Sequence, residues 1–138
     1  MFKRFAATAA LVAMAATAVP LPVAAFTGRK GTQAAQINDK VFEVSLRRSG
    51  DGQAYWCGAA DYARRVLKAP WSARIFVVRG EGPSVNPKRR NAVQFTLDPG
   101  GAGVTPTGPS LSLNRMLVGD SMTIQKANVY CTSNSIVF

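Results

Sequence analysis

The chain contains no histidine. That removes Ser-His-Asp and Cys-His nucleophilic catalysis, and with them the usual catalytic zinc and copper sites, which rely on imidazole ligands. No GxGxxG follows a strand-like run, and no GxxxxGK[ST] is present, so the common nucleotide cradles are missing. Gly100-Gly101-Ala102-Gly103 is glycine-rich, but Val104-Thr105-Pro106 follows it and no lysine stands there to reach a phosphate. It reads as a mobile loop. Acids are scarce, with seven against seventeen basic residues. Asp39, Glu43, Asp51, Asp61, Glu81, Asp98 and Asp120 fall mostly at turns or helix ends, where capping explains them. Glu81 and Asp98 would stand at opposite ends of a hairpin, too far apart for paired acid–base work. No catalytic residue, metal or cofactor is expected from this inventory.

Cysteine is nearly absent too. Cys57 and Cys131 are the only pair and form no CxxC, so a structural disulfide is the expectation. Closing a loop of that length is worth on the order of 4 kcal/mol in the chain-entropy account.

The N-terminus supplies a compartment for that bond. Lys3 and Arg4 precede an uncharged, alanine-rich run from Phe5 to Val19, then Pro20 and Pro22, then Val23-Ala24-Ala25. This is the order of a secretory signal peptide, with small residues at −3 and −1. We assign residues 1–25 to a cleaved leader. The prolines and the weak hydrophobicity of alanine argue against an anchor helix, and no cysteine follows that would carry a lipid. No other segment is long and apolar enough to span a membrane. The remaining 113 residues carry fifteen basic and seven acidic side chains, a net +8.

The organising stretch is Gln53–Lys68. On a helical wheel Tyr55, Trp56, Ala59, Ala60, Tyr62, Ala63, Val66 and Leu67 share one face, and Asp61, Arg64, Arg65 and Lys68 the other. Asp51 suits the N-cap, and Ala69-Pro70 stops the helix. Asp61 is within helical reach of Arg64 and Arg65. Gly58 suggests close approach by another element. Cys57 lies on the polar side, as expected of a residue bonded to something crossing the helix flank.

Residues 26–40 are polar without a steady period and read as an exposed arm, leaving 41–138 as one domain. Val41–Arg47 and Ala92–Asp98 alternate as half-buried strands. Ile75–Val78 reads as an interior strand covered on both faces. Leu111–Val118 fits either a strand or a short helix, Met122–Cys131 a strand, and Ser135–Phe138 a terminal edge. The expected fold is α+β: one amphipathic helix on a mostly antiparallel sheet of about five strands, with one disulfide tying the helix to the last strand. Val41–Val78 fits a right-handed βαβ crossover.

Function is read from the basic residues. Arg79, Ser84, Lys88, Arg89 and Arg90 bracket the loop Gly80–Asn91, and Arg47 and Arg48 end the first strand of the domain. Guanidinium forks hold phosphate and carboxylate bidentately. Tyr55, Trp56, Tyr62 and Trp71 form a possible aromatic platform, though helical spacing makes them core first. The leading expectation is a periplasmic or secreted, non-catalytic domain that binds through this loop. Its partner would be an anionic envelope component, a small anion or another secreted protein, without specificity for nucleic acid. The alternatives are a small histidine-free hydrolase or glycan-acting enzyme using carboxylates, and an inhibitor that presents loop 80–90 as a rigid finger.

Overall fold

The computed structural model describes residue 10 and residues 12–13, 25–49, 51–108 and 110–132. The assigned leader and the terminal edge at 135–138 lie outside the described residues, apart from residues 10, 12, 13 and 25. Six strands form one antiparallel sheet: β1 (Phe26–Thr27), β2 (Gln33–Gln36), β3 (Val41–Leu46), β4 (Arg74–Gly82), β5 (Asn91–Thr96) and β6 (Ser121–Thr123). Their order is β1-β2-β3-β5-β4-β6. Among the described residues two α-helices, α1 (Gly52–Arg65) and α2 (Ile124–Thr132), accompany the sheet in an α+β fold, and Cys57 is bonded to Cys131. Among the described residues no helix is long and apolar enough to cross a membrane.

α1 starts and stops where local chemistry requires. The Asp51 carboxylate accepts the Ala54 amide at 3.0 Å, satisfying one of the free donors of the first turn. The helix ends at Arg65, short of the expected Lys68. Lys68 turns into the left-handed region at φ 57°, and the Ala69 amide closes back on the Ala63 carbonyl at 2.9 Å. Gly58 is there for proximity: a Cβ at this position would stand 2.6 Å from Val44 Cγ1. Without one, α1 lies close on β3. Trp56 packs on Phe95 with centroids 5.3 Å apart, and Phe42 on Tyr62 at 4.8 Å. Fully burying a large apolar side chain contributes about 1.5–3 kcal/mol, so this cluster with Ile75, Val77 and Val93 holds the sheet to the helix.

Several expectations are corrected. Residues 26–36 are not an exposed arm. Phe26 pairs with Ala34, and Gln33 to Gln36 pair with Ser45 to Phe42, adding two strands at the β3 edge. The chain can pay its ordering entropy there because Thr32 and Ala34 are buried against the core side. The segment from Met122 is strand for two residues only, the end of β6, and then becomes α2. Thr123 Oγ1 accepts the Lys126 amide at 3.2 Å as an N-cap, and Ile124, Ala127 and Cys131 recur at helical spacing on the side facing α1. The disulfide therefore joins two helices rather than a helix and a strand. With α2 along its flank, α1 is buried almost all round, Cys57 and Asp61 included.

β3 and β4 run in the same direction, as a βαβ unit requires, but β5 is inserted antiparallel between them. β4 is not covered on both faces: Ile75 and Val77 are fully buried, whereas Phe76 and Val78 are only partly so. Residues 111–118 form neither strand nor helix and contribute Met116 to the core.

Candidate functional site

The loop after β4 folds back on the sheet instead of projecting. Alternation along β3 puts Phe42, Val44 and Leu46 under α1 and Glu43 on the opposite face. Glu43 is buried; it accepts the Ser84 hydroxyl and, at 3.1 Å, the Val85 amide. Farther along, Arg89 Nε donates to Gln33 Oε1 of β2 at 3.1 Å. Ser84 is thus a loop anchor and does not face a ligand. Arg79 is likewise spent on the hairpin, its Nη2 donating to the Ala92 carbonyl at 3.0 Å. Lys88 and Arg90 are exposed.

The remaining three arginines of the sequence-based set converge. Arg47, Arg48 and Arg89 line one cleft of about 510 Å³, together with Lys30, Gln33 and Asp51. Lys30, which sequence reasoning missed, comes from the 3-10 turn Arg29–Gly31 between β1 and β2, where its backbone is left-handed at φ 58°. Four cations from three separate segments face one acid, and Asp51 is already engaged as the α1 cap. Arg89 adds a second feature. Its Nη1 is buried without a hydrogen-bond partner. A buried donor left unpaired costs about 1–3 kcal/mol, more when charged.

The four aromatics separate. Tyr55, Trp56 and Tyr62 are core residues, buried to within a few per cent. Only Trp71 is open, 43% exposed, with the Arg64 guanidinium over its ring at 4.3 Å. Trp71 borders a second hollow of about 410 Å³ that also includes Arg29, Asp61, Arg64, Lys68 and Asn128. Asp61 does not pair with Arg64 or Arg65 as its spacing suggested. Its side chain is buried and binds Arg29, with Nη2 to Oδ1 at 2.6 Å and the Arg29 backbone amide to Oδ2 at 2.8 Å.

Most other acids are also committed. Tyr55 donates to Glu81 at 2.8 Å, and burial, then that bond, push the phenol far above its ordinary value. Burial also raises Tyr62. Asp98 accepts the Gly101 amide at 3.0 Å and pairs with Lys40 at 3.3 Å, which together lower its carboxyl. Asp120 accepts the Ser121 amide at 2.8 Å. Cys57, Asp61 and Cys131 stand within 4.8 Å of one another, but both sulfurs are in the disulfide and Asp61 is taken by Arg29. The chemistry this arrangement offers is the holding of negative charge.

Comparison with protein-family models, curated proteins and solved structures finds no match for this chain.

Proposed function

We propose that this protein is an exported, non-catalytic binding domain that takes an anionic ligand in the cleft between Lys30, Arg47, Arg48 and Arg89. The observation that carries the reading is the convergence of those four cations around one concavity. Phosphate or carboxylate groups suit it, because guanidinium donors match both bidentately. Export is supported by the leader-like N-terminus and by the disulfide, which uses both cysteines of the chain and persists in oxidising compartments. The net +8 charge left after removal of the leader draws anionic partners toward the cleft.

The folded-back loop moves the reading from a projecting finger to a concave site. A protruding inhibitor loop is poorly served by a segment whose Ser84, Val85 and Arg89 are tied to the sheet. Calorimetric titration with inorganic pyrophosphate tests the proposal. Binding is expected, weakening steeply as salt rises, since charges on an open cleft are screened. Changing Arg47, Arg48 and Arg89 together to Ser removes the binding, whereas changing exposed Lys88 and Arg90 to Ser leaves most of it. Equal binding by both variants contradicts the assignment.

A further inference from the structure

A second site lies at the other end of α1, with a different makeup. The hollow beside Trp71 meets a smaller one of about 230 Å³ that Trp71 shares with Gln125 and Asn128. Trp71 and Asn128 form the wall common to both. Trp71 is held in place by its backbone: the Trp71 carbonyl accepts the Gln125 amide at 3.1 Å, and the Ala73 carbonyl accepts the Ile124 amide at 2.9 Å. These bonds fasten the turn after α1 to the first turn of α2. An exposed tryptophan on a fixed backbone is a preorganised platform, so a ligand loses little entropy in ordering it.

Hydrogen bonds orient several of the polar groups around it. Arg29 Nη2 donates to Asn128 Oδ1 at 2.6 Å. A guanidinium has no acceptor, so the Asn128 atom it touches is the oxygen, and the amide NH2 remains to donate elsewhere. Arg64 Nη1 is anchored on the Ala69 carbonyl at 2.7 Å, and its guanidinium carbon stands 4.3 Å from the Trp71 ring centroid, covering one side of the ring. Arg65 and Lys68 add exposed positive charge on the rim. The one acid of the hollow, Asp61, is neutralised by Arg29. The inventory is one stacking surface, two side-chain amides and a cationic rim.

We infer that this double hollow binds an acidic saccharide, with a sugar ring on the side of Trp71 that Arg64 does not cover, its hydroxyls on Gln125 and Asn128, and its carboxylate on Arg65 and Lys68. Amides suit hydroxyls because they donate and accept, and cations suit the carboxylate. A bilayer is a poorer fit, since the tryptophan sits in a concavity rimmed by charge. A single-stranded nucleic acid shares the stacking and the charge and is distinguished by the test.

Two tryptophans make the test direct, because Trp56 is buried in the core and Trp71 alone is open. The intact disulfide-bonded protein is titrated with a tetramer of galacturonate, and acrylamide quenching of tryptophan fluorescence is followed. Protection of the quenchable component is expected. The neutral galactose tetramer, inorganic phosphate and a short single-stranded oligonucleotide are each expected to protect at least tenfold less well at equal concentration. By calorimetry Trp71→Ala and Arg65→Ala each weaken galacturonate binding about tenfold. The variant lacking Arg47, Arg48 and Arg89 retains it, so failure of the first cleft does not decide this one. No protection by galacturonate, or protection as strong by the neutral sugar, phosphate or oligonucleotide, overturns the inference. Unchanged affinity in Trp71→Ala overturns it as well.

Discussion

Arg29 and Arg89 meet this protein in opposite ways. Arg29 binds a buried carboxylate through side chain and backbone and reaches Asn128 on the second helix. Arg89 is held by a neutral amide, Gln33, and has a buried Nη1 with no partner. One arginine has its charge cancelled and serves as a clamp between the β1–β2 turn, α1 and α2. The other keeps its charge and stands with three more cations around a cleft. The same residue type is structural where a carboxylate is built in for it and a candidate for binding where none is. Composition alone, a surplus of basic residues, cannot separate the two; the partner of each guanidinium does.

Three substitution experiments bear on that contrast. The clamp side should dominate stability. Replacing both Cys57 and Cys131 with Ser removes the covalent part of the α1–α2 seam and should lower unfolding stability by about 4 kcal/mol in urea titration. Arg29→Ala strands the buried Asp61 carboxylate and should cost on the order of 2–3 kcal/mol, below the range for a wholly buried pair because Arg29 is half open. Arg89→Ala should change stability by less than about 0.5 kcal/mol, since it removes an unsatisfied buried donor along with one hydrogen bond to a neutral amide. If Arg89→Ala proves as destabilising as Arg29→Ala, the contrast fails and Arg89 is a second structural clamp.

The pH limits come from other residues and are smaller tests. Tyr55 has a folded-state value raised above its ordinary 10.0. Its contribution is therefore complete below pH 10 and lost as pH rises toward the folded value, because the unfolded chain ionises first. Thermal melts should fall above that pH, and Tyr55→Phe should flatten the fall. Asp98 behaves in the other direction: its lowered carboxyl favours the folded state above the ordinary 3.8, and that support fades as pH drops through the folded value. Asp98 is exposed to solvent, so Asp98→Asn should move the acid midpoint only slightly.

Much of the frame was legible before the fold. The wheel over 55–67, Asp51 as cap and Ala69-Pro70 as stop located α1, because a helix with one apolar face announces its period. Two cysteines in an otherwise cysteine-free chain gave the disulfide. Alternation found β3 and β5. α2 was hidden because Met122, Ile124 and Lys126 to Val129 imitate a two-residue period, while the helical signals, Thr123 as cap and Ile124, Ala127 and Cys131 in register, are few. β2 was hidden because its buried side chain, Ala34, is small and the rest of the strand is Gln33, Ala35 and Gln36; paired with β1 and β3, it needs little hydrophobic bulk of its own. The cleft was half legible. Arg47, Arg48 and Arg89 were singled out by charge, but Lys30 lies in the segment taken for an arm. Nothing local distinguishes Arg79, spent on the hairpin, from Arg89.

The most direct test follows the arginine side-chain Nε–Hε resonances by NMR during titration with inorganic pyrophosphate. Arg47, Arg48 and Arg89 should shift together along one binding curve while Arg29, bound to Asp61, stays still. A titration that leaves the first three unmoved, or that moves Arg29 as far as Arg89, contradicts the assignment of the cleft as the anion site.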